Sequence, residues 1–152
     1  MPRTVVVGIG NIIHGDDGAG VVVARMLRDH PRLPRETRVI EGGTLGLELL
    51  PYLQDEHRIV IVDAMDMGEP AGTTFCLRGE DVRRLKGAWS VHQLGVADLL
   101  MALQLVRDDV PGLTLVGVQP KSTDWRTELS PEVDGALPKL IDLCVEESHR
   151  SS

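Results

Sequence analysis

Several acidic residues and one histidine of this 152-residue chain stand where a metal ion or a proton-transfer step could use them. Asp16 and Asp17 follow a glycine-rich segment, and Asp63 directly follows four apolar residues. His92 begins a further segment with apolar neighbours. Two carboxylates and one imidazole, here Asp17, Asp63 and His92, form a coordination set for a borderline divalent metal such as nickel or zinc. Three ligands leave positions open, which suits an exchangeable or substrate-borne metal better than a closed structural site.

Each of these residues also has an ordinary structural interpretation. Asp16 and Asp17 can cap a helix and interact with its dipole. Asp63 can form a turn, and a lone histidine such as His92 is commonly a structural group. His14 lies close to the acid pair and is a candidate supporting group. Only the combination of these residues at one place predicts a site.

The elements that must position them follow from the hydrophobic pattern. Strands are predicted at 4–9, 37–41, 58–63, 73–78 and 113–118, and helices at 18–28, 45–53, 92–107 and 130–147. The strands are continuously apolar, which predicts a three-layer α/β/α domain around a mostly parallel sheet. In such sheets, ligands bind beyond the carboxyl ends of the strands. We therefore expect Asp17, Asp63 and His92 at one rim of a single domain spanning residues 1–152.

Composition excludes several classes of protein. The net charge of −7 argues against binding to nucleic acids or anionic membranes. Cys76 and Cys144 lie among apolar residues and are expected to be reduced core residues. No apolar run approaches the roughly 18 residues of a membrane span. The N-terminus has no signal-peptide pattern, so a cytoplasmic location is expected.

Familiar catalytic motifs do not account for these residues. The segment after the first strand fails as a dinucleotide fingerprint, because Ile13 stands where the third glycine belongs. Asp16 and Asp17 would also repel a pyrophosphate at the start of the helix. The sequence contains no G-x-S-x-G elbow, no H-E-x-x-H and no P-loop. Covalent hydrolysis is therefore not indicated.

Five segments together resemble one family, the hydrogenase maturation proteases. They are GIGN at 8–11 with DD at 16–17, EGGTLG at 41–46, DA at 63–64, HQLGVAD at 92–98, and LTLVGVQP at 113–120 followed by LSP at 129–131. The resemblance covers almost the whole chain, in order and with similar spacing. Members of this family are endopeptidases that trim the C-terminus of the large subunit of nickel-iron hydrogenases.

The resemblance implies a fold and a set of metal ligands. The fold is a five-stranded sheet with four parallel strands and one antiparallel strand. The turn at 69–72 is too short for a helical crossover, so the strand at 73–78 should be the antiparallel one. The implied ligands are Asp17, Asp63 and His92, with Glu in place of Asp17 in some members. Asp16 could share the task of Asp17, and either of them could act as a general base.

The resemblance also implies a substrate and a metal. The nickel would belong to the large-subunit precursor rather than to the enzyme, and Gly42, Gly43 and Thr44 would contact the extended tail. A monomer is expected. Two alternatives remain: a non-catalytic nickel-binding accessory protein for hydrogenase assembly, and a cofactor-binding doubly wound domain. Cleavage of a precursor tail distinguishes the first alternative, and a nucleotide titration the second.

Overall fold

Five strands form one mixed sheet in the computed structural model, which describes residues 3–83 and 112–150. The strands are β1 (Thr4–Ile9), β2 (Arg38–Gly43), β3 (Arg58–Ala64), β4 (Thr74–Arg78) and β5 (Gly112–Val118). Their order across the sheet is β2-β1-β3-β5-β4. Four strands run parallel, and β4 pairs antiparallel with β5. The predicted fold class is confirmed, including which strand is antiparallel.

Three of the four helices in the described residues lie close to predicted positions, whereas the single turn of α3 was not predicted. They are α1 (Ala19–Leu27), α2 (Leu50–Leu53), α3 (Glu80–Arg83) and α4 (Pro131–His149). A 3-10 turn at Gly15–Gly18 precedes α1, so the acid pair lies in this turn rather than in the α-helix. The predicted helix 45–53 is a 3-10 turn, Gly46–Leu49, that continues into the single turn of α2. The predicted helix 92–107 lies outside the described residues.

Helix α4 begins at the residues that the sequence indicates. The hydroxyl of Ser130 caps it by accepting a hydrogen bond from the backbone N–H of Val133 at 3.3 Å. Pro131 stands in the first turn, where its missing N–H costs nothing, and Glu132 and Asp134 face the positive end of the helix dipole. The helix continues through Pro138 to His149.

Apolar side chains cover both faces of the sheet. Val5, Val7, Ile59 and Ile61 pack on one face with Leu49 and Leu53. The alternate residues of the same strands, among them Val6, Val60 and Val62, pack on the other face against α1 and α4. This two-sided burial explains why the strands are continuously apolar. No helix in the described ranges combines the length and apolar character needed to cross a bilayer.

A buried carboxylate holds the end of α4 against the sheet. Glu147 is 1% exposed, and it accepts hydrogen bonds from Arg78 Nε at 2.7 Å and from the hydroxyl of Thr114 at 3.3 Å. Cys76 Sγ lies 3.2 Å from the same carboxylate. Burial and this contact raise the pKa of the Cys76 thiol to about 11. Both cysteines are free, as expected, although only Cys144 is fully buried.

Candidate functional site

The loop after β1 bends sharply at Gly10, and the backbone of Asp17 packs against this bend. Gly10 has a φ of 135°, and a Cβ there would lie 1.8 Å from the carbonyl oxygen of Asp17. Only glycine permits this conformation and this close approach. The backbone N–H of Asn11 then donates a hydrogen bond to Asp17 Oδ2 at 3.0 Å. The GIGN segment thus positions the half-buried carboxylate of Asp17 rather than a phosphate.

Asp16 occupies a different environment from its neighbour. It is 1% exposed, and both of its oxygens accept hydrogen bonds. Oδ1 accepts from the N–H of Ser130 at 2.7 Å. Oδ2 accepts from the N–H groups of Lys121 at 2.8 Å and Ser122 at 3.1 Å, and from the hydroxyl of Ser130 at 2.8 Å. This carboxylate joins the turn before α1 to the segment between β5 and α4.

Asp63 lies at the carboxyl end of β3, as predicted. It is 1% exposed and pairs in register with Gly117 of β5. Its Oδ1 accepts a hydrogen bond from the N–H of Ala64 at 2.8 Å. A buried carboxylate at the end of a parallel strand lies where α/β proteins place ligands.

The structure brings the turn that carries Asp17 against the strand that carries Asp63. The 3-10 turn contacts β3 directly. Gly20, three residues after Asp17, packs so closely that a Cβ would lie 2.2 Å from the carbonyl oxygen of Val62 and 2.4 Å from that of Ile9. The absence of a side chain at Gly20 therefore lets the start of α1 approach the ends of β1 and β3. Both acids lie at this rim.

His92 falls outside the described residues, so the three-ligand set stays a prediction. Among residues 3–83 and 112–150, no group of three or more His, Cys, Asp or Glu side chains is arranged to hold a metal ion. Asp17 and Asp63 supply only the two carboxylates of the predicted set. The imidazole of the predicted set, His92, is the ligand that lies outside these residues.

The glycine loop at the end of β2 reaches the same rim. The pairing of β1 with β2 slips by one residue between Gly8 and Ile9, so that Ile9 pairs with Gly43. The carbonyl of Gly43 accepts a hydrogen bond from the N–H of Gly10 at 2.9 Å. Thr44 follows and is exposed. The predicted substrate-contacting residues, Gly42, Gly43 and Thr44, therefore adjoin the loop that positions Asp17.

Glu41 precedes this glycine loop but is already paired. Arg25 donates a hydrogen bond from Nε at 2.7 Å, and Arg28 forms a second ion pair with the same carboxylate. The hydrogen bond from Arg25, followed by the charges of both arginines, lowers the pKa of Glu41 despite some desolvation. This acid fastens β2 to α1.

Gln119 is a residue of this rim that the sequence did not single out. It is 6% exposed, and its Oε1 accepts hydrogen bonds from the N–H groups of Met67 at 2.7 Å and Glu69 at 3.2 Å. Its Nε2 donates to Asp66 Oδ1 at 3.0 Å. That bond, together with the N–H of Gly68, lowers the pKa of Asp66. Gln119 thus shapes the loop after Asp63. The sequence feature that could have identified it is its position directly after the end of β5.

His14 contacts the segment between β5 and α4. Its Nδ1 lies 3.2 Å from the carbonyl oxygen of Thr123, and its ring centroid lies 4.2 Å from that of Trp125. The Trp125 side chain is 76% exposed, and Ile12 and Ile13 on the adjoining loop are 38% and 43% exposed. Large exposed apolar side chains grouped on adjoining loops are typical of a protein-contact surface.

Comparison with known proteins agrees with this architecture. The family model described as hydrogenase maturation protease matches residues 21–147. The hydrogenase expression/formation protein HupD of Rhodobacter capsulatus is 38% identical over 149 residues, which are 95% of this chain and 70% of the relative. The hydrogenase 2 maturation protease of Escherichia coli is 36% identical over 142 residues, 92% of this chain and 87% of the relative.

Solved structures give the same result. The hydrogenase maturating endopeptidase HybD from Escherichia coli superposes with a TM-score of 0.86 at 35% identity, covering 97% of this chain and 94% of that one. The [NiFe] hydrogenase maturation protease HybD from Thermococcus kodakarensis superposes with a TM-score of 0.78 at 30% identity, covering 95% and 97%. The mixed five-stranded sheet with its helices is therefore the fold of these maturation proteases. The chain belongs to the hydrogenase maturation protease family.

Proposed function

We propose that this protein is an endopeptidase that removes the C-terminal extension of a nickel-loaded [NiFe]-hydrogenase large-subunit precursor. The observation that carries the proposal is the pair of carboxylates, Asp17 and Asp63, at one rim of a sheet in a chain of this family. The two acids come from separate elements. The close approaches at Gly10 and Gly20 allow the turn that carries Asp17 to pack against the ends of β1 and β3. That arrangement suits a reaction centre better than a helix cap and an unrelated turn.

The nickel arrives within the precursor and binds Asp17, Asp63 and His92. Two carboxylates offset the charge of a dication, and an imidazole is a ligand that nickel accepts readily. Binding through the metal places the scissile carbonyl close to a water molecule, whose pKa the metal lowers. Three protein ligands leave room for groups of the precursor.

Asp17 is the stronger candidate for the general base, and Asp16 is the alternative. Asp17 Oδ2 accepts one hydrogen bond, from Asn11. Within the described residues, Asp17 Oδ1 has no hydrogen-bond donor and is available to a proton or a metal. Both oxygens of Asp16 are already hydrogen-bonded. A positioned base contributes about 10²–10⁴-fold to such a reaction.

The glycine loop binds the extended tail of the precursor. A Cβ on Gly43 would meet no heavy atom of the described residues within 4 Å, so the space beside its backbone is open. Thr44 and Leu45 follow on the surface, Leu45 being 46% exposed. An extended peptide can approach glycine backbone closely. The hydrogen bond between Gly43 and Gly10 joins this loop to the loop that positions Asp17, so a peptide bound here lies beside Asp17.

The protein works as a cytoplasmic monomer with the precursor as its partner.

The test incubates the protein with nickel-loaded and nickel-free precursor and follows loss of the tail by mass spectrometry. We expect cleavage of the nickel-loaded precursor only. The purified protein should contain little tightly bound metal, and chelators should not inhibit it once the loaded precursor is present. Stoichiometric zinc that cleavage requires would indicate an ordinary metalloprotease instead. Precursor binding without cleavage would favour the non-catalytic accessory protein.

A matched pair of variants separates the site from general charge effects. Asp17→Asn removes a carboxylate at the rim. Asp124→Asn removes one from the exposed surface of the neighbouring segment, where the side chain has no hydrogen bond or ion pair with any described residue. We expect only the first substitution to abolish cleavage.

A further inference from the structure

The segment between β5 and α4, residues 121–130, is fastened to the turn that carries Asp17. The N–H of Gly15 donates to the carbonyl of Arg126 at 2.8 Å, and the N–H of Arg126 donates to the carbonyl of Ile13 at 3.1 Å. The N–H of Asp16 donates to the carbonyl of Ser122 at 2.9 Å. These three backbone hydrogen bonds join residues 13–16 to Ser122 and Arg126.

The side chain of Asp16 adds four hydrogen bonds to this contact and buries a charge there. Its donors span the segment, from Lys121 and Ser122 at one end to Ser130 at the other. Hydrogen bonds to a charged acceptor are stronger than those between neutral groups. Asp16 is therefore the main fastening between residues 121–130 and the turn at Gly15–Gly18.

We propose that Asp16 is a positioning residue for the Asp17 carboxylate, and this inference rests on the proposed function. Asp17 is the next residue in the same 3-10 turn, and its N–H donates to the carbonyl of His14 at 3.2 Å. Releasing Asp16 from residues 121–130 lets that turn shift, and Asp17 shifts with it. A displacement of about 1 Å at a reaction centre costs on the order of a hundredfold in rate. Asp16 itself does not touch the reacting atoms.

Variants on both sides of the contact test this role. Asp16→Asn keeps the size of the side chain but turns an N–H₂ group toward at least one N–H donor. Ser130→Ala removes the hydroxyl that donates to Asp16 without changing Asp16. Ser130→Thr retains a hydroxyl that can donate to Asp16 and cap α4. Asp124→Asn is the charge control on the same segment.

The first measurement is kcat/KM for precursor cleavage, well below the melting temperature of each variant, with folding checked by near-ultraviolet circular dichroism. We expect Asp16→Asn to lower kcat/KM by about ten- to a hundredfold. Ser130→Ala should produce a smaller decrease, Ser130→Thr should restore activity, and Asp124→Asn should have no effect. The effects of Asp16→Asn and Ser130→Ala should not add in the double variant, because both break one network. The acid limb of the pH–rate profile should persist in Asp16→Asn.

The second measurement needs no precursor. Trypsin can cleave after Lys121 and Arg126, whose backbone is held by Asp16 and by the loop before it. We expect faster cleavage at these two positions in Asp16→Asn and Ser130→Ala than in the wild type and Asp124→Asn. If the wild type fails to cleave the precursor, the proposed function is wrong, and the trypsin comparison still decides whether Asp16 holds the segment.

Three results would overturn the inference. Folded Asp16→Asn with wild-type kcat/KM would make the residue merely structural. Loss of the acid limb from the residual activity of Asp16→Asn, while Ser130→Ala keeps the wild-type kcat/KM, would make Asp16 the general base. Unchanged trypsin cleavage at Lys121 and Arg126 in both variants would show that Asp16 does not hold the segment. If Asp16→Asn does not fold, Ser130→Ala and Ser130→Thr carry the same comparison.

Discussion

The backbone N–H of Asn11 donates to Asp17 Oδ2 over 3.0 Å, so the residue that ends the GIGN segment orients a carboxylate six positions further along the chain. The bond leaves the second oxygen of Asp17 without a donor among the described residues. Asp16, its neighbour, is saturated by four donors. Two adjacent acids of the same type thus have opposite environments, and the difference comes from which loop each one faces.

Two substitutions of Asp17 should distinguish the effect of its negative charge from the effect of its side-chain length. Asp17→Asn should lower kcat/KM for precursor processing at least about a hundredfold, because it removes both a ligand charge and a base. Asp17→Glu should retain part of the activity, since it keeps the charge and extends the side chain by one methylene. Steady-state kinetics with the nickel-loaded precursor measure both. Equal loss in the two variants would contradict a role that depends mainly on charge.

Asp63→Asn should block processing with little change in stability. The amide keeps the oxygen that accepts the N–H of Ala64, but it lacks the charge that a dication favours. Thermal unfolding and tail removal, measured on the same preparation, test the two halves of this prediction. Wild-type cleavage by folded Asp63→Asn would mean that this carboxylate neither binds nickel nor takes part in the reaction.

His92→Ala should also abolish processing while the protein stays folded. This expectation rests on the sequence and the family resemblance, because His92 lies outside the described residues. The control is His149→Ala on α4, whose Nε2 lies 2.6 Å from the carbonyl oxygen of Arg32 on the surface. Mass spectrometry of the precursor after incubation with each variant makes the comparison. If both variants cleave normally, the predicted ligand set is wrong.

Much of this architecture could be predicted from the sequence, because strand periodicity and turn length are local signals. The apolar runs placed all five strands, and the short connection at 69–72 indicated that β4 is antiparallel. The environment of Asp16 could not be predicted, since its donors lie more than 100 residues away in the chain. Gln119 was missed for the same reason: its role depends on a loop more than 50 residues earlier.

Gly20→Ala should destabilise the protein and reduce processing. The new methyl group would lie 2.2 Å from the carbonyl oxygen of Val62, so α1 must move away from the rim. Overpacking of this kind costs about 1–3 kcal/mol. Gly135→Ala in α4 is the matched control, because its Cβ would meet nothing within 4 Å of the described residues. There alanine should stabilise the helix by about 0.5–1 kcal/mol. Denaturant unfolding of both variants checks the opposite signs.

Glu147 should make the stability of the protein sensitive to acid. Desolvation alone would raise the pKa of Glu147, but hydrogen bonds from Arg78 and Cys76 and the charges of Arg78 and Arg150 outweigh it and lower that pKa. A carboxyl whose pKa is lower in the folded state stabilises the fold above its ordinary pKa, about 4.3 for glutamate. This contribution is lost as the pH falls from that value toward the lower folded pKa.

Glu147→Gln should therefore lower the free energy of unfolding at pH 7 and flatten its decline below about pH 4.3. We expect a loss of about 1.5–3 kcal/mol at pH 7, in the range for hydrogen bonds to charged groups. The upper range for a broken buried pair does not apply, because the Arg78 side chain is 52% exposed and water can solvate it. Glu146→Gln, the exposed neighbouring residue, is the control and should follow the wild type. Urea unfolding at pH 7, 5 and about 3.5 provides the comparison, and parallel curves for wild type and Glu147→Gln would show that this carboxylate has the same pKa in the folded and unfolded chain.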